Sequence, residues 1–324
     1  MARVLVTGGA GFIGSHVTSQ LVELGHEAVV LDPLRSHGRP EHEPILRYRR
    51  EVLLRGAELI EGSTEDKEAL RRVFEETRPD AIVHAGVLPL ATVALEDRQH
   101  AFESILHGTV NLLDLAGELE TIRKFVYVSS SMVYGDFTQN PMPEDGQTNP
   151  KEIYGGMKLA GEIMTRSFSL ALKIPHAICR PSAVYGPGDV NGRIVQKAVE
   201  AAVWSRPLGL VNPATTYLDF SYVGDVAQGI VKALLSPVEN ETFNVTTGAA
   251  QTLQDLYDLL RARYPEMPVT VEERASDFRP KRGTLDVSKA RELIGYEPQF
   301  TLETGVAAYV AFVESLPAPE PVPA

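Results

Sequence analysis

The sequence is sparing with cysteine. Cys179 is its one thiol in 324 residues. A single cysteine excludes an internal disulfide framework and any zinc site built on cysteines, and it suits a reducing compartment. Long apolar runs are also missing: no uncharged stretch approaches the ~18–20 residues of a membrane span. Met1-Ala2-Arg3 leads straight into a strand-like Val4-Leu5-Val6, which leaves no stretch for a signal peptide. The expectation is a cytoplasmic protein with no membrane partner. Positive charge is in short supply, with 31 Lys and Arg against 43 Asp and Glu and a net charge of −12. Such a field repels nucleic-acid backbones and anionic headgroups but leaves room for a local basic pocket around a small anion. His37 and His42 stand in a charged segment without further ligands nearby, so no metal is expected.

What is present is an ordinary globular balance, with 44% hydrophobic and 23% charged residues. At ~150 residues per domain the length suits about two domains or one large one. Short apolar runs at 4–7, 28–31, 59–61, 81–84, 125–129 and 176–180 read as strands. Longer amphipathic runs at 13–24, 67–76, 101–119 and 154–172 read as helices between them. Strands that are apolar on both faces and separated by helices imply an α/β architecture, a doubly wound parallel sheet covered on both sides. After residue 180 the rhythm changes. Pro181, Gly186, Pro187, Gly188 and Gly192 cluster, and helices at 194–204, 224–235, 253–264 and 288–293 mix with strands in 208–222 and 242–246. The charged stretch 38–57, with Arg47, Arg49 and Arg50, reads as a solvated helix on an insertion. The Pro-rich end, 317–324, reads as disordered.

Thr7-Gly8-Gly9-Ala10-Gly11-Phe12-Ile13-Gly14 follows the first strand and opens the first helix. In that context Gly8 permits the tight turn, Gly11 lets the backbone approach a pyrophosphate, and Gly14 lets helix and strand pack closely. The free N–H groups of the helix start then face the phosphates. Asp32, closing the second strand, accepts from a ribose 2′-hydroxyl and repels a 2′-phosphate, which favours NAD over NADP; Arg35 nearby pulls the other way. The expected organisation is a Rossmann-type NAD-binding domain over 1–180, with segments near 219–247 returning to it. A smaller mixed substrate lobe over 181–316 and the 317–324 tail follow.

Tyr154-Gly155-Gly156-Met157-Lys158 puts a phenol and an ammonium on one helix face. A fixed Lys158 cation and a nicotinamide ring both favour the phenolate, so the Tyr154 pKa is expected to fall below the usual ~10. Tyr127-Val128-Ser129-Ser130-Ser131 runs off a strand end, where ligands of open α/β sheets sit. A serine hydrolase reading fails for want of a G-x-S-x-G elbow.

These pieces resemble the extended short-chain dehydrogenase/reductases of the NAD-dependent sugar epimerase/dehydratase type. The matching segments are TGGAGFIG (7–14), Asp32, IVHAG (82–86), GTVNLL (108–113), YVSSSMVYG (127–135), YGGMK (154–158), RPSAVYGPG (180–188), DFSYVGDVAQG (219–229), FNVTTG (243–248) and LDVSKARELIGYEP (285–298), in the family's order over nearly the whole chain. The resemblance implies Tyr154 as general base, Lys158 as its partner and Ser130 as the hydroxyl that orients the reacting oxygen. It implies cofactor contacts from Gly8, Gly11, Phe12, Ile13, Gly14, Asp32, Ser63, Thr64, Ala85, Gly86, Lys158 and Pro181. Helices 101–119 and 154–172 form the dimer interface in similar proteins, so a homodimer is implied by analogy.

Within the family, dehydratases carry Asp-Glu after the serine and decarboxylases a glutamate. Here the positions are Ser131 and Met132, which do no acid–base work. Hydride chemistry alone remains, pointing to a nucleotide-sugar epimerase. The alternative is an NAD-dependent dehydrogenase or ketoreductase on a non-nucleotide sugar, polyol or sugar acid. Three positions depart from the usual epimerase pattern. Ala183 replaces an asparagine, Leu218 an arginine that pairs with the diphosphate, and Ile105 another asparagine. Replacement cations for an anionic substrate are Arg193, Arg279, Lys281 and Arg282, each equally readable as a solvated surface group. Ser130, Met132, Tyr154 and Ala183 complete the expected substrate contacts. His84 and Cys179 read as structural residues, and packing is the default reading for Trp204 and Tyr217.

Overall fold

The computed structural model describes residues 1–35, 39–86, 91–119, 121–274 and 280–318, without the side chains of 91–93. The first half runs β1 (Arg3–Thr7), α1 (Phe12–Glu23), β2 (Glu27–Asp32), α2 (Glu43–Tyr48), β3 (Glu58–Glu61), α3 (Lys67–Thr77), β4 (Ala81–His84), α4 (Ala91–Glu96), α5 (Arg98–Phe102), α6 (Gly108–Glu118), β5 (Lys124–Val128), α7 (Ile153–Leu172) and β6 (His176–Arg180). The second half runs β7 (Val184–Tyr185), α8 (Ile194–Val203), β8 (Leu208–Val211), β9 (Tyr217–Asp219), β10 (Ser221–Tyr222), α9 (Val223–Leu235), β11 (Glu241–Asn244), β12 (Ala250–Thr252), α10 (Leu253–Arg263), β13 (Val269–Glu272), α11 (Ser288–Ile294) and α12 (Leu302–Glu314).

Seven strands form one sheet in the order β11-β6-β5-β4-β1-β2-β3, with every pairing parallel. Alternation along β1 explains its two covered faces. Val4 and Val6 pack with Val17 and Leu21 of α1 and with Val226 and Ile230 of α9. Leu5 packs on the other side with Leu70, Phe74 and Leu112. The strand order reverses between β1 and β4, so the carboxyl ends of those strands open the crevice where doubly wound folds take their ligands. A second core gathers Val195, Val199, Leu208, Leu256, Leu260, Val306 and Val310 from α8, β8, α10 and α12. The returning segment is β11, which pairs with β6 as the edge of the main sheet.

Two local expectations change. The helix expected over 101–119 is a helical run from Arg98 to Glu118 that passes through a π turn at Glu103–His107. The stretch 38–57 is not simply solvated. Its helix, α2, continues into a π turn at Arg49–Leu53, and Ile45, Arg49, Leu53 and Leu54 are buried. Ile45, Arg49 and Leu53 recur every fourth residue, so helical periodicity places the arginine on the apolar face. Among the described residues no helix is long and apolar enough to cross a membrane, and no group of His, Cys, Asp or Glu is placed to hold a metal.

Candidate active site

The glycine-rich turn is built by close backbone contact. Gly8 has φ +67°, and a Cβ there would meet the Gly86 Cα at 2.3 Å. A Cβ on Gly14 would lie 2.1 Å from the Gly8 carbonyl oxygen. Gly11 caps α1 without any side-chain hydrogen bond, so the first N–H groups of the helix are left to a ligand. Asp32, at the end of β2, is 8% exposed and accepts from Ala10 N at 3.1 Å and Leu34 N at 2.8 Å. Burial pushes its carboxyl above the usual range, against those backbone bonds and the Arg49 charge. A glycine cradle, a helix start and an acid at the second strand make the donor and acceptor set of an adenine dinucleotide. Arg35 lines the same cavity. Ser63 Oγ accepts from Glu65 N at 3.2 Å, and Thr64 is buried.

On the other side of the crevice, β5 ends at Val128 and the chain turns through Ser131–Tyr134. Ser130 caps that turn, its Oγ accepting from Met132 N at 3.2 Å, with its own proton available to donate. Tyr154 lies in the first turn of α7, packed with Ala94, Ala101 and Ile105. Lys158 follows one turn later. Its Nζ donates to the Val128 carbonyl at 2.6 Å and sits 5.8 Å from the Tyr154 ring centre. The downward shift of Tyr154 expected beside a nicotinamide ring is reversed in the chain alone. Loss of hydration pushes the phenol up to about 12, and Arg193 is the cation that opposes it. The same desolvation draws Lys158 down to about 7, opposed by the Glu162 carboxylate.

Glu162 fixes the frame behind these residues. It accepts from Ser129 Oγ at 2.6 Å and from Arg180 Nε and Nη2 at 2.8 and 2.7 Å. Arg180 Nη1 then donates to Tyr134 Oη at 2.8 Å, and Tyr134 donates to Asn244 Oδ1 at 2.7 Å. The network ties β5, β6, β11 and α7 together.

Of the sequence-derived site residues among those described, all but Lys281 line one cavity of about 480 Å³, within the range of small-molecule sites. Gly8, Gly11, Phe12, Ile13, Gly14, Asp32, Ser63, Thr64, Ala85 and Gly86 form one wall. Ser130, Met132, Tyr154, Lys158, Pro181, Ala183, Arg193 and Arg282 form the other. Arg279 lies outside the described residues, as does His37. Arg193 pairs with Asp189 at 2.8 Å and lies over the Phe12 ring. The Arg282 guanidinium lies against the Met132 sulfur, and burial lowers its pKa while Glu152 raises it. Lys281 is exposed and does not line the cavity, its backbone N donating to Asp136 Oδ1 at 2.7 Å. Ala183 holds a left-handed backbone at φ +37°, which asparagine adopts more readily. Leu218 and Trp204 pack on the second core and Tyr217 is exposed, none of them at the cavity. His84 is buried between Thr7 Oγ1 at 2.7 Å and Thr109 Oγ1 at 3.0 Å, and burial holds it down at about 3. Cys179 is buried in β6, its thiol pushed up to about 12.

Arg49, read from sequence as solvated, Ser131, read as doing no acid–base work, and Val190 and Asn191, given no site role, also line the cavity. Arg49 was legible through its helical spacing; the turn residues carried no such signal.

A model of the NAD dependent epimerase/dehydratase family matches residues 4–246. Among curated proteins, a UDP-glucose 4-epimerase of Mycolicibacterium smegmatis is 30% identical over 316 residues, covering 96% of this chain and 98% of that protein. Among solved structures, a UDP-glucose 4-epimerase of Thermotoga maritima with UDP-glucose matches with a TM-score of 0.85 and 30% identity, covering 96% of this chain and 98% of the other. A UDP-glucose 4-epimerase of Thermus thermophilus in complex with NAD matches with a TM-score of 0.83 and 28% identity, covering 97% and 99%.

Proposed function

Because the chain belongs to the NAD dependent epimerase/dehydratase family, we propose that it is an NAD-dependent 4-epimerase of a UDP-sugar. The observation that carries the reading is the gathering of Tyr154, Lys158 and Ser130 on one wall of a cavity whose other wall is the glycine-rich turn and Asp32. The near full-length similarity to UDP-glucose 4-epimerases supports the substrate class.

The first wall would hold the dinucleotide, with α1 toward the pyrophosphate and Asp32 toward the ribose. When bound, NAD would supply reversible hydride transfer at the sugar carbon, with no net redox change. Tyr154 takes the hydroxyl proton and gives it back. With its phenol held up at about 12, it needs positive charge beside it to act at neutral pH. Lys158 supplies that charge while protonated; burial draws it down to about 7, and the Glu162 carboxylate opposes that fall. Ser130 donates to the reacting oxygen. Ser131 and Met132 offer no acid or base, so neither elimination nor decarboxylation is served. Arg193, Arg282 and, outside the described residues, Arg279 would receive the diphosphate in place of the arginine that Leu218 replaces; Met132 and Ala183 would wall the sugar. The second core is then the substrate lobe.

Exposed apolar side chains on α5 and α7, Phe102 at 48%, Ile163 at 49% and Leu170 at 85%, favour a homodimer through this face. The lone cysteine, buried, suits the cytoplasm. Purified protein given UDP-glucose is expected to form the C4 epimer without added NAD, read by chromatography of the nucleotide sugars. Stoichiometric NADH with no epimer would make it a dehydrogenase instead.

A further inference from the structure

Two side chains of the NAD-binding half grip one turn of the second half. His16, in α1, donates through Nε2 to the Pro187 carbonyl at 2.8 Å. Arg49 donates through Nε to the next carbonyl, Gly188 O, at 2.6 Å. Arg49 is 6% exposed, and its Nη1 approaches the Ala10 carbonyl at 3.5 Å. The turn accepts two donors on consecutive carbonyls because Gly186 and Gly188 take φ of +140° and +93°. Beyond it stands Asp189, fully buried. Its Oδ1 accepts from Asn191 N at 3.1 Å and from Arg193 Nη1 at 2.8 Å. Asp189 also attracts Arg49.

The contacts close on themselves. The Arg193 guanidinium lies 5.4 Å from the Phe12 ring centre, and Phe12 meets His16 edge-on at 6.2 Å. The glycine-rich turn, α1, the α2 segment and the 186–193 turn therefore form one ring of contacts. Arg193 lines the cavity, as do Phe12 and Arg49. Asp189 on the same turn helps to set the place of Arg193, and so does the grip of Arg49 and His16 on the carbonyls just before it. A cation that must meet a diphosphate gains most when its own freedom is already restricted.

We propose that Arg49, with His16 beside it, is a positioning residue for the substrate: it docks the 186–193 turn on the glycine-rich turn so that Arg193 stands where the nucleoside diphosphate binds. This rests on reading Arg193 as a diphosphate ligand.

The test measures the Kd of UDP by calorimetry on the purified holoprotein, with KM and kcat for the UDP-sugar, in Arg49→Met, Arg49→Lys, Arg193→Met and the Arg49→Met/Arg193→Met pair. Arg49→Met is expected to raise Kd and KM ~10-fold with a much smaller change in kcat, and the double variant to bind no more weakly than Arg193→Met alone, because residues acting through one another are not additive. Arg49→Lys restores part of the affinity, since an ammonium still reaches one carbonyl. Should Arg49→Met fail to fold, His16→Leu is expected to weaken UDP in the same direction and to add nothing to Arg193→Met. The proposal is overturned by wild-type UDP affinity in Arg49→Met, by losses that multiply in the double variant, or by a defect confined to Tm. If Arg193→Met itself leaves UDP binding intact, the diphosphate role of Arg193 fails first, and the positioning role falls with it.

Discussion

The two walls of the cavity are made in different ways. The cofactor wall is largely contiguous chain: residues 7–14 supply a turn, a helix start and the backbone clearances, and Asp32 follows one strand later. The opposite wall is assembled from segments far apart in sequence. Met132 comes from the turn after β5, Ala183 from the approach to β7, Arg193 from the cap of α8 and Arg282 from a loop ahead of α11. Two of its cations lie against other side chains, Arg193 on Asp189 and Arg282 on Met132. A wall made of backbone tolerates almost no change at its glycines, whereas a wall made of paired side chains can be retuned one residue at a time.

That contrast orders the expected effects. Gly14→Val is the most damaging, because its Cβ would lie 2.1 Å from a carbonyl oxygen that cannot move without the turn. The expected result is protein without bound NAD, read by releasing and quantifying the cofactor from the purified chain. Retention of a full complement would break the comparison at once. Tyr154→Phe removes one oxygen from the other wall, so turnover should drop ~10²- to 10⁴-fold while bound NAD stays. Loss of NAD along with turnover would show that the walls are not separable. Arg282→Met should raise KM for the UDP-sugar by about tenfold, the scale of one charge-assisted bond, and leave the cofactor in place.

The smallest effect is on stability and comes from the frame rather than from either wall. Burial holds His16, His84 and His176 at about 4, 3 and 4. In the unfolded chain each takes up a proton near its ordinary value, while the folded protein refuses it until lower pH. Stability should therefore be unaffected by these groups above pH ~6.5 and fall progressively below it. Tm measured from pH 8 to pH 5 checks the sign; a Tm that rises on acidification would contradict it. Asp219 works in the opposite direction. Burial pushes its carboxyl to about 6, so its ionisation costs stability as pH rises through the acid range, and Asp219→Asn should lessen that opposing slope.

Much of this was legible in the residues. The strands at 4–7, 81–84 and 176–180 fall in β1, β4 and β6, because apolar runs between amphipathic helices have few ways to be buried other than as a parallel sheet. The glycines at 8, 11 and 14 were legible because each answers a local backbone demand. Arg49 was misread although Ile45 and Leu53 flank it at helical spacing. Charge in a run argues for solvent unless carbonyls elsewhere accept it, and Gly188 is far away in the chain.

Residue patterns alone were enough to set the doubly wound sheet, the cofactor turn, the Tyr154 and Lys158 pair and a serine-tipped strand beside it. These follow from periodicity, backbone conformation and fixed helical offsets, which act over a few residues; the choice of Ser130 came from the family resemblance. The direction in which the Tyr154 and Lys158 pKa values move, the burial of Arg49 and the place of Arg193 came only with the closed fold. Those depend on how much water is removed around a charge and on partners brought from distant segments, and neither quantity exists until the chain has closed on itself.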